Sequence, residues 1–135
     1  MSGVPEGGPY DWWQRGMELL QRGDAAAAAV LLQHTVDADP RSASAWEGLG
    51  RAHYDAGRIT AAAEAFARLV ELAPHSHYGH FALGLSLTRV DRFEEGVEHL
   101  AMASAMRPDR PEYLDRLRQA RATLRARREA AAGDA

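Results

Sequence analysis

Between Ala43 and Pro74, apolar residues fall at helical spacing in two short runs, parted by Gly57 and closed by Pro74. Glycine makes a left-handed turn cheap and proline cannot continue a helix, so this stretch predicts a pair of short helices joined by a tight turn. The same punctuation recurs on both sides: Pro40, Pro74 and Pro108 lie 34 residues apart, and so do Gly16, Gly50 and Gly84. A period of that size predicts an array of stacked helical hairpins, no one of which can bury its own apolar face.

The pattern sets the elements one by one. Trp12, Trp13, Met17, Leu19 and Leu20 predict a helix from Tyr10 up to Gly23, after which Asp24 can cap a second helix over Ala25 to about Ala38, with Ala28, Leu31, Leu32 and Val36 as its buried stripe. Ser42 is the predicted cap of the next helix, which runs to about Ala56. Ser76 takes the same place in the third unit, whose helices run to about Val90 and over roughly Phe93 to Met106. There Asp91 stands where the other units have glycine, and aspartate tolerates the left-handed conformation better than most residues. Beyond Pro108 one more helix is expected, from about Pro111 to Glu129. Its narrow stripe of Leu114, Leu117 and Leu124 is flanked by Arg116, Arg118, Arg121, Arg125, Arg127 and Arg128, as a terminal cap with one face in water requires. The whole is therefore expected as a flexible lead at 1–8, one domain over 9–131 with repeats at about 9–42, 43–76 and 77–110 and a capping helix at about 111–129, and a fraying tail at 130–135.

Composition narrows the functional classes. The 135 residues are 46% apolar and 26% charged, ordinary for a globular domain, and no run approaches the roughly 20 apolar residues that span a bilayer. The N-terminus has neither the basic start nor the apolar run of a secretory signal, so cytoplasmic residence without a membrane partner is the expectation. The absence of cysteine excludes disulfides and thiolate chemistry, and a net charge of −3 argues against a general nucleic-acid binder. All sixteen basic residues are arginine, and neither lysine nor asparagine occurs, so binding modes that need those side chains are closed to this chain.

These positions resemble the tetratricopeptide repeat, a family of 34-residue helix-turn-helix units whose pattern runs Trp, Leu-Gly, Tyr, Ala, a bulky residue and Pro. Trp46, Leu49, Gly50, Ala62, Phe66 and Pro74 carry it in the middle unit. Trp12, Gly16, Ala28, Leu32 and Pro40 carry it in the first, and Leu83, Gly84, Leu100, Ala103 and Pro108 in the third. The recurrent glycine suggests that the partner helix passes too close for a larger side chain, with Ala28 and Ala62 as the small residues facing it. Arg15 in the leucine place, His53 in the tyrosine place, His80 in the tryptophan place and Gly96 in the alanine place depart from the pattern, so the third unit is expected to be the least stable.

The resemblance implies an all-α, right-handed superhelical solenoid whose concave face is lined by the first helix of each hairpin. Carried over by position, that face would present Tyr10, Trp13, Gln14, Met17 and Leu20, then Glu47, Arg51, Tyr54 and Asp55, then Tyr78, Phe81, Leu85 and Arg89, with Asp115, Arg116 and Gln119 from the cap. So many aromatic and aliphatic side chains would make an apolar groove, which marks an interaction site unless they pack between neighbouring hairpins. The family's best-known groove grips a terminal carboxylate with Lys and Asn. Here the matching positions hold Trp13, Met17, Glu47, Arg51, Phe81 and Leu85, so an extended apolar peptide or an amphipathic helix is the better fit.

Other clusters carry weaker chemistry. His75, His77 and His80 are the only grouping like a metal site, but they begin in a loop and lack a fourth ligand, so no metal or cofactor is expected. Glu94, Glu95 and Glu98 read as a solvated acidic face rather than an acid–base pair. No phosphate-cradling loop, zinc-protease helix or nucleophile elbow is present. The expectation is a non-catalytic adaptor that holds a segment of another protein. The alternatives are a self-associating module that buries the same aromatics against a second copy and, less favoured, a regulator that takes a small apolar molecule.

Overall fold

The computed structural model describes residues 3–134, so the first two residues of the expected lead and the last of the expected tail lie outside the described residues. Seven helices and no strand occur among the described residues. They are α1 (Pro9–Gln21), α2 (Ala25–Ala38), α3 (Ala43–Asp55), α4 (Ile59–Leu72), α5 (His77–Arg89), α6 (Phe93–Met106) and α7 (Pro111–Gly133). The chain divides into two compact units, one ending at Pro74 and one beginning at His75.

Local chemistry accounts for the boundaries. The hydroxyls of Ser42 and Ser76 accept from the amides of Ala45 and Gly79, at 3.2 and 2.9 Å, and so satisfy donors left open in the first turns of α3 and α5. Asp24 stands at the expected cap of α2, yet its side chain makes no capping bond, and neither do Arg58 and Arg92 at the same place before α4 and α6. The tight turn sets those three starts. Gly23, Gly57 and Asp91 have φ of +88°, +79° and +66°, which is the left-handed turn expected at all three. Before α1, the carbonyl of Glu6 accepts from Trp12 Nε1 at 3.0 Å and from Arg15 Nη2 at 3.1 Å. At the other end α7 continues beyond the expected stop near Glu129 to Gly133, because Ala130 to Ala132 are strong helix formers.

In the first unit α1 pairs with α2, α3 pairs with α4, and α2 and α3 also touch. Leu20, Ala28, Leu32, Val36, Leu49 and Ala52 form the core, with Trp13, Met17, Leu19 and Trp46 packed against it. In the second unit α5 pairs with α6, and α7 lies on α6 and reaches α5. Leu100, Leu117 and Ala120 are buried there, with Phe81, Leu85, Val97 and Leu114 around them.

The repeated glycines answer to a different neighbour from the one expected. A Cβ at Gly16 would sit 2.8 Å from Leu32 Cγ, one at Gly50 2.6 Å from the Phe66 ring, and one at Gly84 2.7 Å from Leu100 Cγ. The crowding comes from the bulky residue of the second helix, not from the alanines. Gly84 and Gly96 add a backbone approach, since a Cβ on either would come within 3.0 or 3.1 Å of the other's carbonyl oxygen. Gly96 in the alanine place is therefore part of the packing of α5 on α6.

Candidate functional site

On α1, Trp12, Gly16 and Leu20 are buried, and this settles which side faces inward. Leu20 is only 7% exposed and belongs to the core, so its expected place on the binding face is corrected. At 100° per residue Leu20 lies about 40° from Gly16 and about 20° from Trp13, on the border between the two faces, and the core claims it. The indole Nε1 of Trp13 donates to the Ser44 carbonyl at 3.4 Å and so links α1 to α3. Met17 sits where a Cβ at Gly48 would meet its sulfur at 2.9 Å. Trp13 and Met17 are thus half-buried seam residues as well as surface. Tyr10 stacks on Trp13 with ring centroids 6.2 Å apart and remains 68% exposed. Gln14 and Asp55 are exposed, while Glu47, Arg51 and Tyr54 are half-buried. At the start of this face a hollow of about 440 Å³ opens between Tyr10, Trp13, Thr35, Asp39, Ser42 and Ser44.

The second unit brings Leu85, Arg89, Arg116 and Gln119 around a smaller hollow of about 170 Å³, together with Thr88 and Thr123. Of the sequence candidates there, Arg89, Asp115, Arg116 and Gln119 are exposed, and Tyr78, Phe81 and Leu85 are half-buried. Phe81 stacks on Tyr113 with centroids 4.3 Å apart, and Leu85 packs on the cluster of Leu100 and Leu117. Both therefore hold α7 to α5.

Tyr113, 1% exposed, is the residue that sequence reading passed over. The signal was present, because Tyr113, Leu117, Ala120 and Leu124 follow one another at four, three and four residues along one stripe. Its hydroxyl lies 2.8 Å from His77 Nδ1, and His77 Nε2 lies 3.3 Å from Arg107 Nη1. A guanidinium only donates, so His77 Nε2 accepts and the ring proton sits on Nδ1, from which it donates to the tyrosine oxygen. Burial, then Arg107 and Arg110, hold the His77 pKa below its ordinary value against the pull of Asp109. Arg107 in turn grips Asp109 with two bonds of 2.9 and 2.7 Å, which draws that carboxyl down to about 2. Burial likewise raises the Tyr113 pKa.

The expected histidine cluster disperses. His75 is exposed, His77 turns to Tyr113, and His80 stacks on His99 of α6 with Nδ1 atoms 3.0 Å apart. A bond between two Nδ1 atoms needs one protonated and one bare nitrogen, so both rings cannot be charged and keep it. Burial, then His80, lower the His99 pKa, with Glu98 and Glu95 opposing. In the tryptophan place of the other two repeats the indole instead ties down the incoming chain: Trp12 donates to Glu6 O and Trp46 to Pro40 O, at 3.0 and 2.8 Å. His53, in the tyrosine place, has a buried Nδ1 with no partner among the described residues, and burial and then Arg58 lower its pKa, with Glu64 opposing. Among the described residues no three acidic or imidazole groups converge as a metal site, and no helix is long and apolar enough to cross a membrane.

The arrangement is that of a helical-repeat protein, in which short antiparallel helices stack through glycine-to-bulky contacts repeated every 34 residues. The chain belongs to the tetratricopeptide repeat family, whose sequence profile matches residues 14–77. It is similar to Superkiller complex protein 3 of Mus musculus, 31% identical over 100 residues, which is 74% of this chain and 6% of that protein. The chain thus spans about 6% of the length of the curated relatives it matches. Among solved structures it is similar to the first TPR of Spaghetti (RPAP3) bound to the HSP90 peptide SRMEEVD, at a TM-score of 0.82, 16% identity and coverage of 90% of this chain and 96% of that one. It is also similar to YrrB, a TPR protein with an unusual peptide-binding site, at a TM-score of 0.75, 20% identity and coverage of 81% and 56%. At these identities the structural likeness shows the fold, an all-α helical repeat solenoid.

Proposed function

We propose that this chain is a non-catalytic interaction scaffold that holds a peptide or helix from another protein against the first helices of its repeats. The observation that carries this reading is the face of α1 and α3, where a largely exposed Tyr10 stacks on Trp13 beside a hollow of about 440 Å³. Exposed aromatics on rigid helices make good anchors, because they bring large contact area at small entropic cost. Two neighbours of the same fold are peptide binders by their own descriptions, which supports the same use here. Because Trp13 and Met17 also serve packing, Tyr10 and Gln14 are the residues of the first unit through which the partner is read.

Selection from a phage-displayed library of random peptides tests this, followed by calorimetry on the enriched sequences. Tyr10→Ala should weaken capture about tenfold with unchanged helix content, whereas Val30→Ser, on the exposed face of α2, should have no effect. Failure to enrich any peptide, or equal sensitivity to both changes, refutes the reading. A second reading, self-association, is favoured by a hollow of about 480 Å³ on α6 and α7, where Val97, Leu124 and Ala132 lie open between Arg121, Arg125 and Arg128. Light scattering at micromolar concentration separates the two, since a strict monomer eliminates it.

A further inference from the structure

The hollow at the start of α1 has a chemistry of its own. Its walls are two aromatic rings, three hydroxyl side chains and the carboxylate of Asp39, and no basic residue lines it. Two of the donors are already committed. Trp13 gives its indole N–H to Ser44 O, and Thr35 gives its hydroxyl to Leu31 O. Trp13 therefore offers its π face, and Asp39, exposed at the mouth, can only accept. Among the described residues no ion pair engages Asp39.

We infer that this hollow takes the guanidinium of an arginine side chain on the bound peptide, laid against Tyr10 and Trp13 with its N–H fork turned to Asp39. A flat, weakly hydrated cation suits ring faces better than an ammonium does, and its fork matches a carboxylate. The volume of about 440 Å³ accommodates the side chain together with neighbouring peptide backbone. The surrounding field has the same sign, since residues 1–74 carry six arginines against ten carboxylates, a net charge of −4. A positive group is drawn to this unit before contact. The recognition is then opposite in polarity to the carboxylate grip that this sequence lacks the Lys and Asn to build.

The inference rests on the peptide-binding reading for the rest of the ligand, and the test keeps the two apart. In the first arm, Nα-acetyl-arginine amide at millimolar concentration is titrated into the full chain and followed by NMR. The indole N–H of Trp13 and the amide of Asp39 should shift saturably, and the uncharged isostere Nα-acetyl-citrulline amide should leave them in place. In the second arm, peptides from the library selection are compared with Arg, citrulline, Lys or Glu at the same position. Arg→citrulline and Arg→Lys should each weaken binding, the former about tenfold, and Glu should abolish it. Asp39→Asn should lower affinity for the Arg peptide about tenfold and remove the preference over citrulline. Tyr10→Leu, which keeps apolar bulk but removes the π face, should narrow it. Peptides that bind equally well with citrulline overturn this inference and leave the scaffold reading intact, while Lys equal to Arg overturns the guanidinium assignment. Saturable shifts by the arginine amide without any selected peptide support the pocket and remove the scaffold reading.

Discussion

Replacing Gly84 by alanine sets a gain in helix propensity against a loss in packing, and the structure says which prevails. In a helix interior alanine is favoured over glycine by about 1 kcal/mol. The new methyl, however, would lie 2.7 Å from Leu100 Cγ and 3.0 Å from the Gly96 carbonyl oxygen. Leu100 is 1% exposed, and a branch carbon cannot swing away as a side-chain tip can, while the carbonyl is backbone of α6. Relief requires α5 and α6 to move apart, at an overpacking cost of about 3 kcal/mol. The net expectation is a destabilisation of about 2 kcal/mol, or roughly 8 °C in Tm at about 4 °C per kcal/mol for a chain of this size. Circular dichroism during thermal and urea unfolding measures it. Gly84→Ala combined with Leu100→Ala should then cost less than the sum of the two single changes by about 1 kcal/mol, because the clash with Leu100 is removed while the approach to the Gly96 carbonyl remains. A Gly84→Ala variant as stable as the parent, or a purely additive double variant, would refute the claim that the bulky residue of the second helix dictates this glycine.

Two further outcomes follow from the same contacts. His53, His77 and His99 all have lowered pKa values in the folded chain, so as pH falls through their ordinary value near 6.5 the unfolded chain takes up protons first. Tm should be level above pH 7, fall between pH 6.5 and 5, and then show a separate acid limb below pH 4 as the Asp109 carboxyl, lowered to about 2, is neutralised; a flat profile from pH 7 to 5 contradicts this. Asp91→Gly relieves a left-handed aspartate at φ +66° but removes its 3.0 Å pair with Arg127. Exposed pairs contribute at most about 1 kcal/mol, so stability should hold or rise by up to about 1 kcal/mol, and a clear fall in Tm would show that the pair fastens α7.

The separation between what was legible and what was not follows the range of the interactions. The 34-residue period, the caps at Ser42 and Ser76, the turns at Gly23, Gly57 and Asp91, and the bounds of α2 and α6 could be read from the chain. Each depends on φ preferences and hydrogen bonds within a few residues. Faces were harder. Helical periodicity shows that a helix has an inside, but α1 has both α2 and α3 as neighbours, and a border residue such as Leu20 falls inward or outward only when both are in place.

The amino-acid order alone thus determined the number of helices, where they turn, and the family they build, because those properties are local and repeated. Tertiary structure alone decided that Leu32, Phe66 and Leu100 crowd the glycines, that Tyr113 joins Phe81 and His77, and that Trp13 gives its indole proton to Ser44. Those contacts join residues from 16 to 36 positions apart. No spacing rule fixes which atoms meet over such distances until the helices have packed and every buried donor has taken its acceptor.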